Sequence, residues 1–176
     1  MNHVKLPEPW LRGTLADVAA VPRAVLHALE LAKEDLEKWC GQLTDSQLNA
    51  RSTGIAPVAF HLRHIARSLD RLLTYTEGKQ LTATQLAAMK TEFQDDATRG
   101  DLFAELDSAL AQSAARIRAL APTSLEQTRA VGKKHLPTTV GGLLVHVADH
   151  TLRHVGQAIT TSKIVAAQRA KKSRKR

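Results

Sequence analysis

Four stretches of the chain repeat apolar side chains every three or four residues, and this spacing constrains the fold more than any other feature. On an α-helix such spacing collects the apolar side chains on one face. The predicted long helices cover residues 22–39, 57–78 and 101–121, with a fourth that runs from Thr138 or Thr139 to about residue 167. Four amphipathic helices of this length predict an all-α protein folded as a four-helix bundle.

The connections between these helices carry weaker signals. A shorter helix is predicted over residues 82–90, within the long connection between the second and third long helices. Residues 44–47 match a capping box, which predicts one short helical turn. Residues 122–137 contain Gly132 and two lysines and predict an exposed loop, and we find no strand pattern of useful length. The expected architecture is therefore a four-helix bundle with one short additional helix in a long connection.

The positive charge of the chain is concentrated at its end. The formal net charge is +8, and six of the positive charges fall within residues 169–176, which leaves +2 for the rest. We therefore predict a single domain over residues 1–168 and a basic, disordered tail over residues 169–176. Such a tail could contact nucleic acid weakly, but a solubilising end without a specific partner is the favoured interpretation.

Cysteine content and hydropathy bear on where the protein works. The chain has one cysteine, Cys40, so it cannot form an internal disulfide, and this fits the reducing cytoplasm. Its apolar runs are too short to span a bilayer, so we expect no membrane association. The predicted location is the cytoplasm.

Five of the eight histidines fall in two helical clusters. His146, His150 and His154 follow at intervals of four, and His61 and His64 lie three apart on the second predicted helix. Histidines at positions i and i+4 can direct their ring nitrogens to one metal ion, and a histidine from a facing helix can complete a three-ligand site. The alternative is a set of surface or hydrogen-bonded histidines that binds no metal.

The spacing alone does not settle which histidine of the second helix is the third ligand. The apolar stripe of that helix runs from Val58 to Leu72. At 3.6 residues per turn, His61 lies nearer the centre of this stripe than His64 does. Periodicity therefore favours His61 as the histidine that faces inward.

Two segments of the chain resemble motifs of the DinB/YfiT-like family of metalloenzymes. They are FHLRHIA at residues 60–66 and VHVADHTLRHVGQ at residues 145–157, and the resemblance covers about residues 10–168. It implies His64, His150 and His154 as ligands of a divalent transition metal, zinc or nickel most often. His61, His146 and Gln157 would then support the ligands, with His61 as an alternative ligand. Where the family often has arginine after the last histidine, this chain has Val155.

The resemblance also implies a function. Some relatives are thiol S-transferases, in which a low-molecular-weight thiol binds the metal as thiolate and attacks a small electrophilic substrate. A metal-dependent hydrolase that uses metal-bound water is the close alternative. A third interpretation is a non-enzymatic, stress-related bundle whose basic tail binds nucleic acid or another partner. Because relatives often pair, the resemblance further implies a homodimer.

Overall fold

The computed structural model describes residues 6–52, 54–94, 97–120 and 124–173, with side chains described as far as residue 168. A single 3-10 turn at Pro9–Leu11 precedes six helices and one hairpin. The helices are α1 (Ala20–Cys40), α2 (Asp45–Leu48), α3 (Val58–Thr76), α4 (Ala83–Met89), α5 (Arg99–Ala119) and α6 (Val140–Ser173). The hairpin consists of β1 (Thr128–Val131) and β2 (Leu136–Thr139) and lies between α5 and α6.

The four long helices form the predicted bundle. Helix α1 packs against α5 and α6, and α3 also packs against α5 and α6. The successive long helices α1 and α3 are therefore diagonal neighbours, and the connection through α2 crosses one end of the bundle. The short helix α4 contacts α3 and corresponds to the helix predicted over residues 82–90.

The core is built from the predicted apolar stripes. Each of the four long helices contributes fully buried aliphatic side chains, among them Leu36, Leu69, Leu106 and Leu144. Because the helices bury only one face, their other faces remain polar. Within the described ranges, no helix combines the length and the apolar character that a membrane span requires.

Threonine side chains begin three of the helices. Thr44, Thr82 and Thr98 each form a capping box, in which the side chain accepts from a backbone N–H three residues later. The sequence predicted the box at Thr44. These caps satisfy N–H groups that the first helical turn would otherwise leave unpaired.

Helix α6 also begins at a threonine, although the residue three positions later is a glycine and cannot complete a capping box. Thr139 is its cap, since its Oγ1 accepts a hydrogen bond from the N–H of Gly142 at 3.0 Å. The helix runs to Ser173 and so includes the backbone of residues 169–173, the first part of the predicted basic tail. From residue 166 to residue 172 every residue is a strong helix former, and no glycine or proline ends the helix. Residues 174–176 lie outside the described part of the chain.

The hairpin corrects the prediction of an exposed loop over residues 122–137. The strands β1 and β2 pair antiparallel, with Thr128 opposite Thr139 and Val131 opposite Leu136. Each strand has only four residues and mixed polarity, which is too short for an alternating pattern to stand out. Pro137 also argued against a strand, but both strands are edges, where a missing N–H is tolerated. Residues 122 and 123 lie outside the described part of the chain.

Shortening a core leucine should destabilise the protein strongly. Leu69 on α3 is 0 % exposed, so Leu69→Ala leaves a cavity and should lower the free energy of unfolding by about 2–5 kcal/mol. The same change at Leu136, which is 59 % exposed, should cost less than about 1 kcal/mol. Urea denaturation of both variants measures the difference. Equal losses would contradict the described packing.

Candidate metal centre

Three histidines from two helices meet at one point. His64 of α3 and His150 and His154 of α6 offer ring nitrogens that all lie within 4.8 Å of one another. The Nε2 atoms of His64 and His150 are 3.3 Å apart. The interval of four residues puts His150 and His154 on one face of α6, and the packing of α6 against α3 brings that face to His64. The structure thus brings together the three histidines predicted as ligands.

A buried carboxylate fixes the orientation of His64. Its Nδ1 lies 2.7 Å from Oε2 of Glu92, and Nη1 of Arg71 donates to Oε1 of the same carboxylate at 2.7 Å. Burial alone would raise the pKa of Glu92, but the hydrogen bonds from His64 and Arg71 hold it below its usual value. Because Glu92 is a carboxylate, His64 carries its proton on Nδ1, and its Nε2 lone pair is free for a ligand.

The sequence analysis missed Glu92. This residue lies in the turn region after α4, where no helical spacing relates it to the histidines. Only the path of the chain between α4 and α5 carries its side chain to α3. No motif in the sequence could have identified it.

His61 and His64 occupy different positions relative to the histidines of α6. His61 is buried, as the apolar stripe predicted, while His64 is half-buried and belongs to the triad. Nδ1 of His61 lies 3.2 Å from Nδ1 of His154. This contact occupies one nitrogen of His154 and leaves its Nε2 available to a ligand.

The other two predicted residues lie outside the triad. His146 is half-exposed, and its ring centroid is 5.5 Å from that of His150. Gln157 is exposed and lines a cleft of about 660 Å³ beside His61. Both positions adjoin the triad without joining it.

The cleft lies on the His154 side of the triad. Ile55, Phe60 and Ile164 give it apolar walls, and Arg153 is its one lining residue with a formal charge within the described residues. Arg153 is also hydrogen-bonded to Asp149. Phe60 stacks on the ring of His64 at a centroid distance of 5.3 Å.

The aromatic rings form a cover over His64. On the side away from His64, Phe60 stacks against Phe93 at 4.0 Å between centroids. Phe93 follows Glu92 directly in the sequence, so the same turn provides both the carboxylate and part of the cover. Neither phenylalanine was singled out by the sequence analysis.

The donor set fits a divalent transition metal. Burial, followed by the charges of neighbouring histidines, lowers the pKa of His150 to about 4. Burial and the neighbouring His64 likewise lower the pKa of His154 to about 4. Both rings are therefore neutral near pH 7, which is the form that binds metal. Two ligand nitrogens of a tetrahedral zinc site, with bonds of about 2.0–2.1 Å, lie about 3.4 Å apart, and the His64–His150 distance of 3.3 Å agrees.

A fully satisfied histidine network does not describe this cluster. Nδ1 of His150 is buried and has no hydrogen-bond partner in the described part of the chain. A network that served only to satisfy buried rings would be expected to pair this atom. The arrangement instead gathers neutral nitrogens around one point.

Cys40 lies outside the histidine centre. Cys40 lies at the end of α1 and is buried, and burial raises the pKa of its thiol to about 11. It is therefore a protonated thiol near pH 7, which makes it a poor nucleophile. The side chains of the basic segment 169–176 lie outside the described residues.

Comparison with known proteins gives the family. The sequence model of the DinB superfamily matches residues 28–158, so the chain belongs to the DinB superfamily. Among curated proteins, none matches this chain.

Two solved structures share its fold. A conserved protein from Enterococcus faecalis is 22% identical, with a TM-score of 0.59, over 85% of this chain and 99% of that one. YfiT from Bacillus subtilis is 17% identical, with a TM-score of 0.61, over 82% of this chain and 87% of that one. YfiT is described as a probable metal-dependent hydrolase with an unusual four-helix bundle topology. At these identities the likeness establishes the fold of the present chain, a four-helix bundle of the YfiT type.

The lowered histidine pKa values predict that the metal-free protein loses stability in mild acid. His61, His150 and His154 titrate at about 4 in the folded chain and near 6.5 when unfolded. The unfolded chain therefore binds more protons between these values, and stability falls as the pH drops from about 6.5 to about 4. The urea midpoint, measured with a chelator present, should decrease across this window.

A matched pair of variants checks the origin of this decrease. His150→Gln should make the urea midpoint less dependent on pH, because one titrating ring is removed. His146→Gln, at a half-exposed position, should change the slope less than His150→Gln does, because the charge of His146 is only a minor cause of the lowered His150 pKa. A wild-type midpoint that stays constant from pH 7 to pH 5 would contradict the prediction.

Proposed function

We propose that this protein is a metal-dependent enzyme in which His64, His150 and His154 hold a divalent transition metal. The observation that carries the proposal is the set of three ring nitrogens within 4.8 Å of one another beside an open cleft. Three protein ligands leave a coordination position for water or substrate, as in catalytic rather than structural sites. The description of YfiT as a probable metal-dependent hydrolase supports the same class of function. Imidazole ligands suit zinc and nickel equally.

The side chains around the triad would prepare it for chemistry. A divalent ion in this site would lower the pKa of a coordinated water or thiol, and so supply a nucleophile near neutral pH. Glu92 holds the proton of His64 on Nδ1 and keeps Nε2 as the ligand atom. Phe60 stacks on the ring of His64, and Phe93 stacks on Phe60. His61 limits the rotation of the His154 ring through their contact.

Two reactions are consistent with this site, and each is favoured by one observation. The resemblance of the histidine motifs favours transfer of a low-molecular-weight thiol to a small electrophilic substrate. The description of YfiT favours hydrolysis with water as the nucleophile. In the transfer reaction the thiol would be a co-substrate, because the one cysteine of the chain is buried at the end of α1.

Elemental analysis tests the proposed ligands. Purified wild-type protein should contain about one equivalent of zinc or nickel, because three imidazoles form one site. The double variant His150→Ala, His154→Ala and the single variant His64→Ala should lose that metal. His146→Ala, which removes a histidine from the same helix but outside the triad, should retain it. Full metal retention by the double variant would contradict the proposal.

Removing the carboxylate that orients His64 should weaken metal binding without abolishing it. Glu92→Ala should raise the dissociation constant for Zn²⁺ about 10–100-fold, as is typical when such a partner is lost. Glu105→Ala is the control, since Glu105 bonds Arg67 and does not contact a histidine. Competition titration with a chromophoric chelator measures both constants. Equal values for the two variants would argue against the orienting role.

The sequence analysis made four further predictions. They are a single domain over residues 1–168, a homodimer, a cytoplasmic location and, at most, weak nucleic-acid contact by the basic end of the chain. We retain them as proposals alongside the metal-dependent activity.

A further inference from the structure

A second cavity lies beside α3, next to Arg71, the hydrogen-bond partner of Glu92. It encloses about 260 Å³ and is lined by residues of α3, α4 and α5. It shares no lining residue with the cleft beside His154. Three arginines line it, against Asp70 and Glu105 as the acidic lining residues. The lining therefore carries an excess of positive charge.

Arg71 is the most unusual of these arginines. Its residue surface is only 9% exposed. Within the described part of the chain, its guanidinium makes one hydrogen bond, from Nη1 to Glu92. A guanidinium has five N–H donors, so Arg71 has donors that no acceptor in the described part of the chain uses. Arg71 lines the cavity, so a ligand there can reach these donors.

Ser113 on α5 adds a second donor to the same cavity. It is 2% exposed, and its hydroxyl makes no hydrogen bond within the described ranges. The other two arginines are engaged differently. Arg67 donates to Glu105 and Thr91, and Arg116 bonds two acidic residues, Asp70 and Glu77. Arg71, which makes one side-chain hydrogen bond in the described part of the chain, and Ser113 therefore have the largest share of their donors open to a ligand.

We propose that this cavity is a binding site for a small oxyanion, a carboxylate or a phosphate, held by Arg71 and Ser113. The planar fork of a guanidinium matches the paired oxygens of both groups, and a hydroxyl can donate a further bond. The volume accommodates inorganic phosphate or a small organic acid. The neighbouring Arg67 and Arg116 are bonded to other side chains and add positive charge to the cavity.

The site is connected to the histidine triad through hydrogen bonds. Arg71 donates a hydrogen bond to Glu92, and Glu92 is hydrogen-bonded to His64. An anion bound to Arg71 is therefore linked to His64 through Glu92. The proposal does not depend on this connection, because the donors and the cavity exist whether or not the triad binds metal.

Calorimetric titration with inorganic phosphate and with acetate tests the site. The protein is used as purified, at constant ionic strength, because a chain with a net charge of +8 attracts anions without specificity. We expect one saturable site for at least one of the two anions. Ser113→Val should weaken binding about tenfold or more, as expected for a hydrogen bond to a charged group. Ala109→Leu, which fills the cavity from α5, should weaken it at least as much.

Two further variants separate this site from the alternatives. Arg12→Gln removes a distant surface arginine that pairs with Glu34, and should leave binding unchanged. The double variant His150→Ala, His154→Ala should also leave it unchanged, which distinguishes the cavity from anion binding at a metal. Circular dichroism verifies that each variant is folded.

Several results would overturn the proposal. One is the absence of saturable binding by either anion. Another is equal binding by wild type and folded Ala109→Leu. A third is binding that disappears in the histidine double variant but persists in Ser113→Val, since this would place the anion at the triad.

Discussion

The packing of α3 against α6 is the contact on which the rest of the structure depends. Leu62 and Leu69 of α3 and Leu144 and Val155 of α6 are buried in the shared core. Fully burying one such side chain stabilises the fold by about 1.5–3 kcal/mol, so several together fix the rotation of each helix about its axis. That rotation brings the histidine faces of the two helices together. Helix packing thus offsets the cost of crowding imidazoles whose charged forms repel one another.

The three histidines of the triad differ in what their Nδ1 atoms contact. Nδ1 of His64 is bonded to a carboxylate, Nδ1 of His154 contacts another histidine, and Nδ1 of His150 has no partner within the described residues. A carboxylate partner makes its histidine a more basic and better oriented ligand than a neutral partner does. His64, which comes from the facing helix, is therefore held most firmly. The two α6 histidines are instead positioned chiefly by their own helix.

Much of this architecture could be predicted from local patterns. The 3.6-residue period gave the long helices, and the Thr44–Gln47 pattern gave a capping box. The hairpin was missed because its strands are four residues long and one contains Pro137. Glu92 was missed because it lies in a turn, where side-chain direction follows the path of the chain rather than a period. Arg71 lies seven residues after His64 and so on the same side of α3, but its burial and its open donors follow from packing that no local pattern records.

The sequence by itself determined that His150 and His154 share one face, since four residues make about one helical turn. It also determined that α3 carries two histidines on neighbouring parts of its surface. Only the tertiary structure decided that His64 meets the α6 pair while His61 contacts His154 from the core side. The choice depends on the rotation of α3 relative to α6, which is set by core packing between residues far apart in the chain. The same long-range packing placed Glu92 and the arginine-lined cavity beside α3.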